Sequence, residues 1–307
     1  MPQIGGTLVF SQQNIQDTTN NNRLVYNFPK PLHLDGYEIA LSQASLYYAW
    51  FNISRQLNNN TFFFTFPGKS VITIQIPDGM YQISDINSYL QTIMIANGYY
   101  LINSTNQYVY YAQFIVNTNA YSVELDLNVV PTSLPTNWTA PSNFAGFPAT
   151  SYTPTISLLG NAFNKIIGFN NPNFGVGGSS QTSNCAVLSC SSNTSTQYPF
   201  PASASNTWTV GIAPQVQPNP TILVSLDCID NQFANPTGTI FSITPNVPIG
   251  TQIALYPQEL LWNRVRNGNY NQITLTMYQT NGNYMTLLDP NMTFILYLRK
   301  SLIDTTA

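Results

Sequence analysis

The chain has 307 residues, of which 9 are Lys or Arg and 12 are Asp or Glu, giving a net charge of −3. That charged fraction of 7%, against roughly 25% in ordinary soluble domains, excludes nucleic acid as the main partner, because a few scattered cations cannot displace the counterions of a phosphate backbone. With 43% apolar residues the chain has enough hydrophobic material for a sizeable core, and its surface has to be built largely from neutral amides, hydroxyls and tyrosine.

In chain order, Met1–Phe10 has no basic stretch leading into an apolar core, so no secretory leader is expected. Residues 1–22 read as a polar N-terminal arm that carries Gly5-Gly6 and extends to a neighbouring molecule or under a surrounding shell, with a short strand at Thr7–Phe10. Period-two patterns rich in β-branched and aromatic residues then predict strands at Arg23–Phe28, Tyr37–Trp50 (bent near Ser42–Ser45), Thr61–Phe66 and Ser70–Ile76. At Ser84 the period changes. Ser84 as cap, Asp85 in the first turn, the stripe Ile86, Tyr89, Leu90, Ile93 and Met94, and a stop at Gly98 predict one helix.

Strands resume at Tyr108–Val116 and Tyr121–Val129. From Pro131 to Pro220 periodicity collapses into Pro, Gly, Ser, Thr and Asn, with a short helix near Asn161–Ile167; this is either an outward insertion or a set of long loops. Further strands are predicted at Ile222–Ile229, Thr239–Ile243, Gln252–Tyr256, Gln272–Gln279 and Met292–Arg299, with a tight turn at Asn281-Gly282 joining the last two. The fold class is all-β, a single jelly-roll antiparallel sandwich with one short helix excursion and a long irregular insertion. Its expected organisation is an arm over 1–22, a jelly-roll domain over 23–130 and 221–307, and an insertion over 131–220. An immunoglobulin-like sandwich fits less well, because its strands are short and evenly spaced with no long excursion.

No catalytic, cofactor or metal site is expected, and the chain is read as not an enzyme. His33, the one histidine, lies two residues before Asp35 beside a Pro-rich turn, where a hydrogen-bonded structural role is the commoner one. Glu124 and Asp126 face the same way on a strand, a spacing that suits a cation or an acid–nucleophile pair but also an ordinary solvent face. Asp227 and Asp230 flank a strand end, and Asp78 lies in a Pro-Asp-Gly turn. Cys185, Cys190 and Cys228 are odd in number, lack metal-ligand spacing and read as free thiols. No apolar run is long enough for a membrane helix. The sequons at Asn52, Asn59, Asn103, Asn137, Asn193 and Asn291 are expected by chance in so Asn-rich a chain, and to stay unmodified.

Adjacent aromatics recur at Tyr47-Tyr48, Trp50-Phe51, Phe62-Phe63-Phe64, Tyr99-Tyr100 and Tyr110-Tyr111. On a strand one of each pair fills the core and the other faces outward, which with so few charges suggests subunit contacts. Codon drift toward Asn, Ile, Tyr and Phe would also raise Lys, yet only Lys30, Lys69, Lys165 and Lys300 occur.

Two blocks carry a family resemblance. Ile76-Pro77-Asp78-Gly79-Met80-Tyr81 leading into the helix Ile83–Asn97 is one; the run from Gly238 through Tyr256-Pro257, Ile273–Tyr278, Gly282 and Phe294–Arg299 is the other. As an ordered set with Tyr37–Trp50 they resemble the penton, or minor capsid, proteins of virophages and related Polinton-type viruses. The resemblance implies a jelly roll, a homopentamer at each fivefold vertex of an icosahedral virion, contacts with a double-jelly-roll major capsid protein, and assembly in the host cytoplasm at a viral factory. It carries over no catalytic residue. The alternative is a carbohydrate- or receptor-binding, lectin-like jelly roll, with a host receptor or glycan as partner and Glu124/Asp126 holding calcium. A glycoside hydrolase on the same carboxylates is the weakest reading.

Overall fold

A computed structural model describes residues 4–119, 121–158, 162–169, 173–174, 187–191, 197–198, 213–217, 220–229 and 231–301. The strands are β1 (Ile4–Ser11), β2 (Arg23–His33), β3 (Tyr37–Tyr47), β4 (Thr61–Thr65), β5 (Ile72–Gln75), β6 (Tyr100–Ile102), β7 (Tyr108–Tyr110), β8 (Ala112–Asn117), β9 (Ser122–Asn128), β10 (Thr155–Ser157), β11 (Asn173–Phe174), β12 (Val187–Ser191), β13 (Gln197–Tyr198), β14 (Ile222–Leu226), β15 (Thr239–Ile243), β16 (Gln252–Leu255), β17 (Asn263–Arg264), β18 (Asn269–Gln279) and β19 (Met292–Lys300). Two helices accompany them, α1 (Ile83–Asn97) and α2 (Phe163–Ile167). The chain divides into two compact units, Met1–Trp50 with Asn219–Ala307, and Phe51–Pro218.

The first unit holds the jelly roll. One sheet runs β1-β19-β3-β16, with β17 also on β3, and the other runs β15-β14-β18-β2, every pairing antiparallel. Setting aside the two-residue β17, the strands rank first, eighth, third and sixth in one sheet and fifth, fourth, seventh and second in the other. That interleaving is the jelly-roll connection, two nested Greek keys. Alternation supplies the core: Leu8 and Phe10 of β1, Phe294, Leu296 and Leu298 of β19, and Leu275 and Met277 of β18 are buried. The Phe10 ring meets Tyr26 of β2 edge-on at 6.2 Å, joining the two sheets. The bend expected near Ser42–Ser45 is a β-bulge: the register against β19 shifts between the pairs Leu296–Leu41 and Ile295–Gln43.

The boundaries differ from the expected ones. Residues 4–11, placed in an arm by their polar character and paired glycines, form the first jelly-roll strand, because alternate Leu8 and Phe10 bury against a partner almost the whole chain away. The stretch 51–130, expected inside the sandwich, belongs to the second unit, which enters the jelly roll between its third and fourth strands. The turn at Asn281-Gly282 does not join β18 to β19, which lie in different sheets. It folds the chain back on β18, where Tyr284 bridges Tyr278 and the Met285 N–H donates to the Met277 carbonyl.

The second unit packs α1 against two four-stranded sheets, β11-β10-β4-β5 and β13-β12-β9-β8, with the ribbon β6-β7 beside them. Gln82 rather than Ser84 is the helix N-cap, in a reciprocal box with Asp85, and Gly98 closes the helix in the left-handed conformation. Ile86, Leu90 and Met94 are buried, as the stripe predicted. Phe62 stacks on Phe163 at 4.8 Å and Phe66 on Tyr99 at 4.6 Å, so aromatic faces make much of this core.

Buried asparagines stand where charges would be too costly. Asn52 Nδ2 donates to the Tyr81 and Val216 carbonyls at 2.7 and 2.6 Å, and its Oδ1 accepts the Tyr81 N–H. Asn59 links Ser54 N–H to the Asn52 carbonyl, and Asn21 and Asn22 hold the Leu287 and Met285 carbonyls. The amide richness therefore serves loop and core as well as surface, and the sequons at Asn52 and Asn59 are buried to 3% exposure, with their amides in use.

Tyr111 and Ser122 are exceptions: the hydroxyl of each is buried with no partner among the described residues. Burial pushes the Tyr111 phenol up to about 12. The buried Cys228 thiol of the other unit is pushed up to about 12 as well, by desolvation first and the neighbouring Asp227 charge second. Both groups keep their proton in the folded state where the unfolded chain would lose it. Stability is thus complete below the unfolded thiol's ordinary value near 9 and falls as pH rises from there toward 12. A urea midpoint measured from pH 8 to 11 should decline, and less steeply in Cys228→Ala; a flat profile refutes the assignment. Tyr111→Phe keeps the ring against Phe66, deletes the orphaned hydroxyl, and should stabilise by about 1 kcal/mol.

Candidate functional site

The feature that stands out in the first unit is the outward face of the β1-β19-β3-β16 sheet. Inward residues are apolar by alternation, so beyond the end that carries Glu38, Arg264 and Arg299 the outward set is Thr7, Val9 and Ser11 of β1, Thr293, Ile295 and Tyr297 of β19, Gln43, Ser45 and Tyr47 of β3, and Gln252 and Ala254 of β16. None of them is charged. Cross-strand register arranges them in rows: Val9 beside Ile295 beside Gln43, and Ser11 beside Thr293 beside Ser45 beside Ala254. Gln43 Nε2 donates to the Tyr256 hydroxyl at 3.3 Å, extending the first row, and Gln252 Nε2 donates to Ser45 Oγ at 2.6 Å. Val9 is 42% and Tyr256 65% exposed. A solvated antiparallel face ordinarily carries charge at such positions; an uncharged one with exposed aromatic and branched residues has the composition of a protein–protein contact.

Charge returns at one end of the face. Glu38 and Arg299 are cross-strand neighbours paired at 2.7 Å, both half-buried, and the Arg299 guanidinium lies 3.9 Å from the Trp262 ring centre. The Glu38–Arg299 pair and Trp262 bound the neutral rows with a fixed ion pair and a cation–π contact.

The residues weighed for chemistry are dispersed. His33 uses both ring nitrogens, Nδ1 with Asn269 Oδ1 at 2.9 Å and Nε2 with Asp35 at 2.8 Å, on an exposed strand end. Glu124 and Asp126 share one half-buried face of β9, and Glu124 accepts a 2.6 Å hydrogen bond from Asn117 Nδ2. Their side of the strand alternates with buried Val123, Leu125 and Leu127, the pattern of an ordinary strand face. Asp78 accepts the Arg55 N–H at 2.8 Å as a turn residue. Cys190 lies on β12, its backbone opposite Leu125, whereas Cys185 and Asp230 lie outside the described residues. Among the described residues no three His, Cys, Asp or Glu side chains gather to hold a metal ion, and no helix is long and apolar enough to cross a membrane. Of the paired aromatics, Tyr48, Trp50, Phe62, Phe64 and Tyr111 fill cores while their neighbours are half-exposed; Tyr99 and Tyr100 are both buried.

No family model matches the sequence, and no curated protein does. A search of solved structures finds the selenomethionine-labelled crystal structure of the mavirus penton protein similar at 11% identity, over 95% of this chain and 96% of that one, with a TM-score of 0.40.

Proposed function

We propose that this chain is a structural capsid subunit that forms homopentamers at the fivefold vertices of an icosahedral virion, against a double-jelly-roll major capsid protein. The observation that carries the reading is the set of uncharged rows on the outward face of the β1-β19-β3-β16 sheet. A jelly roll is the fold of many capsid proteins, and of lectins too. What favours the capsid is the absence of charge from the rows of this face that lie beyond the Glu38–Arg299 end, the composition of a buried contact. A five-membered ring closes only through two different patches per subunit, with a third facing the shell; the neutral face supplies one of them.

The role is that of a scaffold: burial of neutral rows drives association, and the Glu38–Arg299 pair at their end fixes register through orientation rather than affinity. The place of action is the virion, with assembly in the host cytoplasm. The test is a reconstruction of purified particles. Density for this chain at the fivefold positions supports the proposal; another protein there, with this chain absent from the particles, refutes it.

A further inference from the structure

Residues 227–229 and 231–238, between β14 and β15, lie along the outward face of the β15-β14-β18-β2 sheet. The Asp227 N–H donates to the Thr274 carbonyl at 3.1 Å, and the Thr274 N–H donates to Asp227 Oδ1 at 2.9 Å. Ser225 Oγ donates to the Thr237 carbonyl at 2.9 Å and Asn231 Nδ2 to the Thr239 carbonyl at 3.1 Å. Arg266 N–H holds the Cys228 carbonyl at 2.9 Å. The loop is thereby tied to the sheet at both ends. Under it lies a cleft of about 400 Å³, whose polar lining includes Asp227, Asn231, Gln232, Arg266, Thr276 and Tyr278. That volume falls within the range of small-ligand sites.

Two of the few charges in the chain meet in this cleft without neutralising each other. The Arg266 guanidinium donates to the backbone carbonyl of Asp227, not to its carboxylate. The carboxylate is held at Oδ1 by a backbone N–H. Each charge is therefore fixed on the main chain, and Asp227 Oδ2 and the rest of the guanidinium fork are left open among the described residues. Beside them the Tyr278 ring is braced by Tyr284, stacked at 5.2 Å and 25°.

We infer that this cleft binds a single sugar residue of a neutral glycan. A strong acceptor next to a strong donor matches two neighbouring hydroxyls, one donating to Asp227 Oδ2 and the next accepting from Arg266. The aromatic wall suits the C–H face of the ring. An isolated anion would face the Asp227 carboxylate, and an apolar ligand would strand the polar lining. The cleft is independent of the proposed assembly face, which belongs to the other sheet.

The test is saturation-transfer NMR on the full chain with methyl glycosides of glucose, galactose, mannose and N-acetylglucosamine, and with glycine as a zwitterionic competitor. At least one glycoside should receive saturation on its ring protons, and Asp227→Asn and Arg266→Gln should each weaken binding at least tenfold. Asp227→Asn keeps a carbonyl oxygen for the Thr274 N–H, so its thermal midpoint should stay at the wild-type value and show that folding is intact. Absence of transfer from every glycoside, full binding by both variants, or displacement by glycine each overturns the inference. None of these outcomes bears on particle assembly.

Discussion

Ile295→Lys should abolish incorporation of this chain into particles while leaving the isolated protein folded. Ile295 sits mid-row on the neutral face, half-exposed, between Val9 and Gln43. In the free subunit a lysine there lays its stem along the sheet and lifts the ammonium into water, so stability should change by no more than about 0.5 kcal/mol. Pressed against a neighbour, the same ammonium is buried without a partner, at about 3–5 kcal/mol per contact. Each 1.4 kcal/mol is roughly tenfold in affinity, so association should weaken by two to three orders of magnitude or more. Sedimentation of the variant and its recovery in purified particles measure this. Gln272→Lys, at an exposed position on the other sheet, is the control and should incorporate normally. Wild-type incorporation of Ile295→Lys would remove the assembly role of the face.

Gly98→Ala should be the most damaging small substitution in the second unit. Gly98 ends α1 with φ of 68°, where its N–H reaches the Ile95 and Met94 carbonyls. An added Cβ would stand 2.0 Å from the Asn143 carbonyl oxygen and 3.0 Å from Phe144 Cα. That loop cannot yield cheaply, since Asn143 Nδ2 holds the Ile95 carbonyl and the Ala145 N–H holds the Gly98 carbonyl. The left-handed backbone alone costs an alanine about 1 kcal/mol. Displacing the loop brings the total to about 3–5 kcal/mol, in the range of severe single substitutions. A calorimetric midpoint within a degree or two of wild type would refute this account of the helix end.

Local pattern was enough to read most elements. The 3.6-residue stripe from Ile86 to Met94 located α1, with its start two residues late at the Ser84 cap and its stop at Gly98 correct, and period-two alternation found β3, β15, β18 and β19 within a few residues of their ends. The bend in β3 was legible because Ser42–Ser45 interrupts an apolar run. Long-range pairing was not. Nothing local tells Ile4–Ser11 that its partner is Met292–Lys300, and Gly5-Gly6 with the polar residues after Ser11 made the strand look like an arm. The point where the second unit leaves the sandwich was equally hidden, because Tyr37–Trp50 runs into Phe51 with no change in composition. The neutral face was legible only as a shortage of ions; which neutral residues share a side needs register. The Asp227–Arg266 cleft went unread because its two charges lie far apart in sequence and meet only where Cys228 and Ile229 pair with Val265 and Arg266.

Placing the second unit between the third and fourth jelly-roll strands sets an order of events during synthesis. After β3 leaves the ribosome, all of Phe51–Pro218 must be made before β14 appears. At about 5–20 residues per second this takes on the order of ten to thirty seconds. Through that interval β1, β2 and β3 lack their hydrogen-bonding partners in β18 and β19, while the second unit already has every strand and helix of its own core. The nascent chain therefore completes its middle first and closes its ends last, with the final strand sealing the first. A ribosome stalled short of residue 292 would display a finished insert on a sandwich still open at its centre.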